Sequence, residues 1–357
     1  MKKKILSIVL SIVMLMSMLV PFSAFAGIKN DELRNRVNAD LAGEIEFLNF
    51  TPSLSQACSS QMLFKVDQSK KDVFLSEVIA NLEQNNGKII VNNSENAIYY
   101  AVVINVLDML GEDYTNYKGY NFKELFENCT QTDIPNLYYV MHAVEAAKTI
   151  GNDTLAKSYL DKLIRDTYTM GVGMINWGYY STDDNAMFLA TVGLYKDDYQ
   201  EYVEDAERLV ANAITDNGYD NGWGSTSAST TACALRAYSV LGDEEKATDA
   251  YNLLVSNFES PNNNGVMQYE GEDDAYATSQ AFSAIAYYKD LFDEPVVEPD
   301  NKDGKKTDDK KTDDTSSKSQ TKKDDTTKSP QTGASVLGFA AIGIGTAFVA
   351  AAKKKED

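Results

Sequence analysis

The sequence predicts an all-α domain built of about five to six helical hairpins, followed by a disordered stalk and a C-terminal transmembrane helix. Three observations carry this reading. Between Gly27 and Pro295 the chain has few prolines, few alternating β-branched runs, and many apolar positions spaced three and four apart, the period of a helix buried on one face. A motif inside that stretch returns at intervals of roughly 40 to 47 residues, room for two helices and their loops. After Pro295 the composition changes abruptly to Lys, Asp, Thr and Ser.

Residues 1–26 have the three parts of a secretory signal peptide. Lys2, Lys3 and Lys4 form a positive start, Ile5 to Val20 is an uncharged apolar run, and Pro21 breaks it. Ala24 and Ala26 offer small side chains at the positions that a signal peptidase reads, so the mature chain is expected to begin at Gly27.

Residues 27–295 are the working domain. The 357-residue chain is 43% hydrophobic and carries a formal net charge of -20, enough apolar material for a large core. The acidity is uneven: residues 27–295 hold about 18 Lys and Arg against about 42 Asp and Glu, roughly -24. Such a field repels nucleic acid, which is excluded as a partner. Cys58, Cys129 and Cys233 are too widely spaced for a zinc or redox motif; an odd count leaves a free thiol, and one disulfide among them stays open.

The repeat starts at Asn96-Ala97-Ile98-Tyr99-Tyr100 and returns as Asn136-Leu137-Tyr138-Tyr139 and Asn185-Ala186-Met187-Phe188. Thr230-Thr231-Ala232-Cys233-Ala234-Leu235 and Ala277-Thr278-Ser279-Gln280-Ala281-Phe282 are later copies. Turns such as Ile150-Gly151-Asn152-Asp153 and Leu241-Gly242-Asp243-Glu244 follow. Glycine there tolerates the left-handed conformation that ends a helix, and the next Asn or Asp caps its successor. Small residues crowd the first helix of each pair, which suits close helix packing. The second helices, such as 155–165 and 201–213, are amphipathic.

Glycine-aromatic loops precede three of the first helices: Asn176-Trp177-Gly178-Tyr179-Tyr180, Asn221-Gly222-Trp223-Gly224 and Gly265-Val266-Met267-Gln268-Tyr269. The stretch Asn217-Gly218-Tyr219-Asp220-Asn221-Gly222-Trp223-Gly224, running on to Thr231-Ala232-Cys233-Ala234-Leu235, resembles the Gly-x-Trp loop and following helix of terpenoid cyclase and prenyltransferase-type repeats. That resemblance, which spans about Glu95 to Asp290, implies an α/α toroid of about five to six hairpins. The catalytic inventory of those enzymes is incomplete here. The single histidine, His142, has no zinc-ligand motif beside it and reads as a core or lumen-facing residue. Asp197-Asp198-Tyr199-Gln200-Glu201 imitates a metal-binding acidic motif but falls where a second helix starts. No metal and no cofactor are expected.

The aromatic loops are therefore the candidate binding surface. Trp177, Tyr179, Tyr180, Trp223, Tyr269 and Tyr276, with Asp183 and Asp220, combine rigid rings with polar groups, as a site for a glycan, peptide or small molecule does. The sequence thus reads as a displayed binding or adhesion module. The alternative is an extracellular carbohydrate-active hydrolase or lyase using carboxylates such as Asp183 and Asp184.

Residues 296–328 bury too little apolar surface to offset the entropy of ordering and read as a disordered, wall-spanning stalk. Residues 329–357 close the chain. Ser329-Pro330-Gln331-Thr332-Gly333 leads into the apolar stretch Ala334–Ala352, long enough as a helix to cross a bilayer, and then Lys353-Lys354-Lys355. This order resembles the cell-wall sorting signal of Gram-positive surface proteins, commonly Leu-Pro-x-Thr-Gly, with Ser329 in place of the leucine. The resemblance implies a sortase as processing partner: its cysteine attacks the Thr332 carbonyl, Gly333 leaves with the tail, and a peptidoglycan amine takes the acyl group. The expected location is the outer face of a Gram-positive-type wall, after a membrane-inserted stage.

Overall fold

The computed structural model describes residues 28–134, 136–176 and 178–292. The signal-peptide region with Ala24, Ala26 and Gly27, the loop residue Trp177, the stalk, and the sorting signal with Ser329, Pro330, Gln331, Thr332 and Gly333 lie outside the described residues. Within them the chain is mostly helical. Twelve α-helices follow one another: α1 (Asp31–Leu48), α2 (Ala57–Val66), α3 (Lys71–Gln84), α4 (Ala97–Met109), α5 (Phe122–Glu127) and α6 (Leu137–Thr149) come first. Then come α7 (Asp153–Thr167), α8 (Thr182–Gly193), α9 (Gln200–Ala211), α10 (Ala228–Leu241), α11 (Glu244–Phe258) and α12 (Ala275–Lys289). Among the described residues no helix is long and apolar enough to cross a membrane.

The sequence did not signal the short antiparallel strands that stand before four of these helices. β1 (Ile90–Val91) pairs with β2 (Ser94–Glu95) ahead of α4, and β3 (Tyr168–Thr169), β4 (Gly173–Asn176) and β5 (Tyr179–Tyr180) form one sheet ahead of α8. β6 (Ile214–Thr215) pairs with β7 (Gly218–Tyr219) ahead of α10, and β8 (Gln268–Tyr269) with β9 (Glu272–Asp273) ahead of α12. Consecutive left-handed residues turn two of these hairpins, Asn92-Asn93 and Glu270-Gly271, the backbone that a two-residue hairpin turn needs.

Helix caps set the repeat. Asn96, Asn136, Ser181, Ser227 and Asp274 cap α4, α6, α8, α10 and α12 with side-chain oxygens. Asn185 is therefore not the counterpart of Asn96; it stands one turn inside α8. At that inner position a second device recurs. The buried N–H groups of Ile89, Met174, Tyr219 and Met267 donate to Tyr100 Oη, Asn185 Oδ1, Thr231 Oγ1 and Thr278 Oγ1 at 3.0, 2.8, 3.1 and 3.0 Å. Each latch ties a hairpin to the fourth residue of the helix that follows. It also satisfies a backbone donor that burial would otherwise orphan.

The first helix of each pair is buried almost all round: α8 buries every residue except Asp183. The second helices bury a single stripe, Ala156, Tyr159, Leu160 and Leu163 in α7 and Val203, Ala206 and Val210 in α9. Helix contacts follow the order α2, α4, α6, α8, α10, α12, and α12 also touches α2. α1, first in sequence, packs on α12 and completes the last pair. The join is tight. Ile28 N donates to Leu291 O at 2.7 Å, Asn264 donates to buried Asp40 at 3.0 Å, and a Cβ built on Gly43 would lie 2.0 Å from Asn264 O. Arg36, Tyr251 and Glu259 complete that cluster, and buried Glu44 beside it has two carboxyl oxygens without a partner. Burial, then the charges of Asp40 and Glu259, push Glu44 well above the usual carboxyl range. All three cysteines are free thiols, so no disulfide links them.

Candidate functional site

The first helices begin near one another, and their opening residues bring several sequence-flagged side chains together. Asp183, in the first turn of α8, accepts a hydrogen bond from Thr230 Oγ1 of α10 at 2.6 Å. Burial, reinforced by Asp184 and opposed by the Thr230 bond, pushes Asp183 up to about 6. Tyr276, near the start of α12, is pushed up to about 12 by burial and then by the charges of Cys233, Asp183 and Asp184. Tyr138, in the first turn of α6, is raised by the same causes in the same order. Burial raises the Cys233 thiol, Asp183 adds to it, and Arg236 opposes. Tyr138, Asp183, Asp184, Cys233 and Tyr276 thus form one electrostatic neighbourhood drawn from α6, α8, α10 and α12. Asp183 and Tyr138 keep some accessible surface while desolvation dominates both.

The loop aromatics differ in their exposure. Tyr179, Trp223 and Tyr269 are 67, 56 and 60% exposed on three different hairpin loops, and Tyr276 is 52% exposed. Tyr180 is half-buried; its ring lies against Gly222, where a Cβ would sit 2.9 Å from Cδ1, so that position needs glycine. Asp220 does not join the cluster. Its Oδ1 accepts from the N–H groups of Gly222 (2.7 Å) and Gly224 (3.3 Å), and Asn221 Oδ1 accepts from Trp223 N at 2.9 Å. Asp220 and Asn221 hold the loop that presents Trp223.

A second polar layer lies deeper and was not read from the sequence. Glu145 of α6 accepts from Gln61 Nε2 of α2 at 2.9 Å, lies 3.3 Å from His142 Nδ1, and also accepts from the Tyr287 hydroxyl of α12. Asn105 of α4 donates to Gln61 Oε1 at 3.0 Å and to His142 O at 2.9 Å. Burial works to raise Glu145, but His142, Tyr287 and the Lys65 charge together hold it down at about 2. Burial lowers His142 below its ordinary range, so the imidazole is neutral at pH 7. Arg236 of α10 reaches the same layer, 6% exposed, with its guanidinium 4.7 Å from the Tyr287 ring centre.

No known protein family matches the chain, and no curated protein is significantly similar to it. The site must then be judged on its own chemistry. Among the described residues no group of three or more His, Cys, Asp or Glu side chains is arranged to hold a metal ion. Asp198, in the acidic look-alike, pairs with Lys157 at 3.0 Å ahead of α9. Two shallow recesses of about 460 and 310 Å³, near Val66 and Lys289 and near Val203 and Gly242, lie away from the cluster and carry none of its chemistry. What the cluster offers is a protonatable carboxyl, phenols, a thiol and exposed rings, all suited to recognition.

Proposed function

We propose that the chain is an exported, wall-anchored surface protein whose helical domain is a closed α/α toroid that binds a glycan, peptide or small molecule. The site lies where the first helices begin. The observation that carries this reading is that Tyr138, Cys233 and Tyr276, on three helices, all lie in the field of Asp183 on a fourth, while the loops ahead of α8, α10 and α12 expose Tyr179, Trp223 and Tyr269. Exposed rings around a recess with few polar groups are the usual make-up of a small-ligand site. The toroid is supported by the order of helix contacts, in which α12 touches α2 and packs on α1. Export and anchoring rest on the sequence alone, through the signal peptide, the Ser329–Gly333 motif, the apolar span and the lysine tail.

The direct test is an array of glycans, peptides and host-matrix components screened with residues 27–295, in parallel with Trp223→Ala. A hit that the variant loses supports a binding module with its mouth at these loops. Hits that the variant keeps unchanged place binding elsewhere. The hydrolase reading retains one specific observation: Asp183, held up to about 6, keeps a proton into mildly acidic pH beside Asp184, as a general acid does. Polysaccharide turnover abolished by Asp183→Asn, with folding intact, would favour it; no turnover by the wild type would remove it.

A further inference from the structure

Arg236 stands inside the first-helix layer and is 6% exposed. A guanidinium removed from water needs a counter-ion and acceptors for its five N–H groups. Its contacts are poor substitutes: Nη2 lies 3.3 Å from the Met141 thioether and 3.5 Å from the Tyr287 hydroxyl, and Nε has no partner. Glu145, the nearby carboxylate, is already occupied by Gln61, His142 and Tyr287, so it meets Arg236 only through the Tyr287 hydroxyl. Among the described residues no carboxylate pairs with the guanidinium directly. In the first turn of the same helix, where Thr230 meets Asp183, the situation is reversed. Asp183 has the Thr230 hydroxyl but no lysine or arginine paired with it among the described residues.

We propose that Arg236 anchors the carboxylate of a ligand whose opposite, cationic end is held by Asp183. The inference rests on the ligand-binding reading above and names its ligand class: a zwitterion with acid and amine up to about 9 Å apart. The length follows from α10. Thr230, which bonds Asp183, and Arg236 are six residues apart, or about 9 Å of helix rise. Cys233 lies midway along the rise, about 60° around the helix from each. Helical side chains lean toward the N-terminus, the end of α10 at which Thr230 meets Asp183. A carboxylate fits better than a phosphate dianion, because one guanidinium neutralises one negative charge, and Glu145 beyond it repels a second. The planar fork of arginine also matches the two carboxylate oxygens.

The test uses the full chain and the ω-amino acids from 4-aminobutanoate to 8-aminooctanoate, with hexanoate and hexylamine as one-ended controls. Binding is read by calorimetry and by the rise in Tm. The expected result is strongest binding at six or seven carbons and at least tenfold weaker binding of either control. Arg236→Met should abolish that binding yet unfold no earlier than the wild type, since an apolar side chain replaces a buried charge that lacks a direct counter-ion. Arg236→Lys should retain weakened binding. Equal binding by wild type and Arg236→Met overturns the proposal, and so does failure of the whole series to bind the wild type. A Trp223-dependent array ligand that is indifferent to Arg236→Met and to masking of its carboxylate would sink this inference while leaving the binding module standing.

Discussion

Replacing Asp183 by Asn should stabilise the protein at neutral pH. The carboxyl rises from 3.8 to about 6 on folding, chiefly because it is buried, with Asp184 adding to the effect. The folded state therefore binds a proton more tightly than the unfolded chain. The sign follows: stability is greatest below about pH 4 and falls as pH rises toward 6, after which the full cost is present. At about 1.4 kcal/mol per pH unit the displacement is worth about 3 kcal/mol. Because the carboxyl keeps some contact with solvent, roughly 2 kcal/mol is a fairer figure. An amide carbonyl can still accept from Thr230, so Asn keeps the hydrogen bond and sheds the charge. For a domain of this size the gain corresponds to roughly 4–8 °C in Tm. Thermal unfolding of both proteins from pH 4 to pH 8 measures it, with the difference shrinking toward pH 4. A variant less stable at pH 7, or a difference independent of pH, would refute the reasoning. The stability that Asp183 forfeits is what a binding residue gives up while its ligand is absent.

Three other outcomes follow from the fold. Thr231→Val removes the acceptor for buried Tyr219 N–H and should cost about 1–3 kcal/mol, visible as a lower urea midpoint. Gly43→Ala would raise the helix propensity of an exposed position by about 1 kcal/mol. Here its Cβ meets Asn264 O at 2.0 Å, so the variant should instead unfold earlier as α1 is pushed off the 259–267 loop. Acid should act through Glu145: held at about 2 in the folded state, it contributes stability that is present above about pH 4 and lost as pH falls toward 2. Glu145→Gln should flatten that acid limb in pH-dependent unfolding.

The helical pairing was legible because its signals are local. Asn136, Asn152 and Asp243 cap the helices that follow them, and Gly151 and Gly242 take left-handed φ at the helix ends. The phase of the repeat was misread at Asn185 because an Asn before an apolar, aromatic run looks alike whether it caps a helix or latches a hairpin. The two-residue strands escaped notice because their alternation is too short to register against helix periodicity. Tyr179, Trp223 and Tyr269 stand out in the sequence because they punctuate glycine loops, and the fold leaves all three exposed. The surroundings of Arg236 were invisible, because its neighbours Met141 and Tyr287 lie 95 and 51 residues away. The same holds for Asp40, which meets Tyr251 and Asn264 only once the two ends of the domain come together.

Trp177 and Trp223 are the only tryptophans in the chain, and both belong to the glycine-aromatic loops. Intrinsic tryptophan emission therefore reports on these loops. Titration of an array-identified ligand, followed in parallel by emission and by calorimetry, shows whether the ligand seats at these loops. Emission changes should saturate at the calorimetric Kd, and Trp223→Ala should weaken binding at least tenfold. Calorimetric binding that leaves the emission of both tryptophans untouched would contradict that seating.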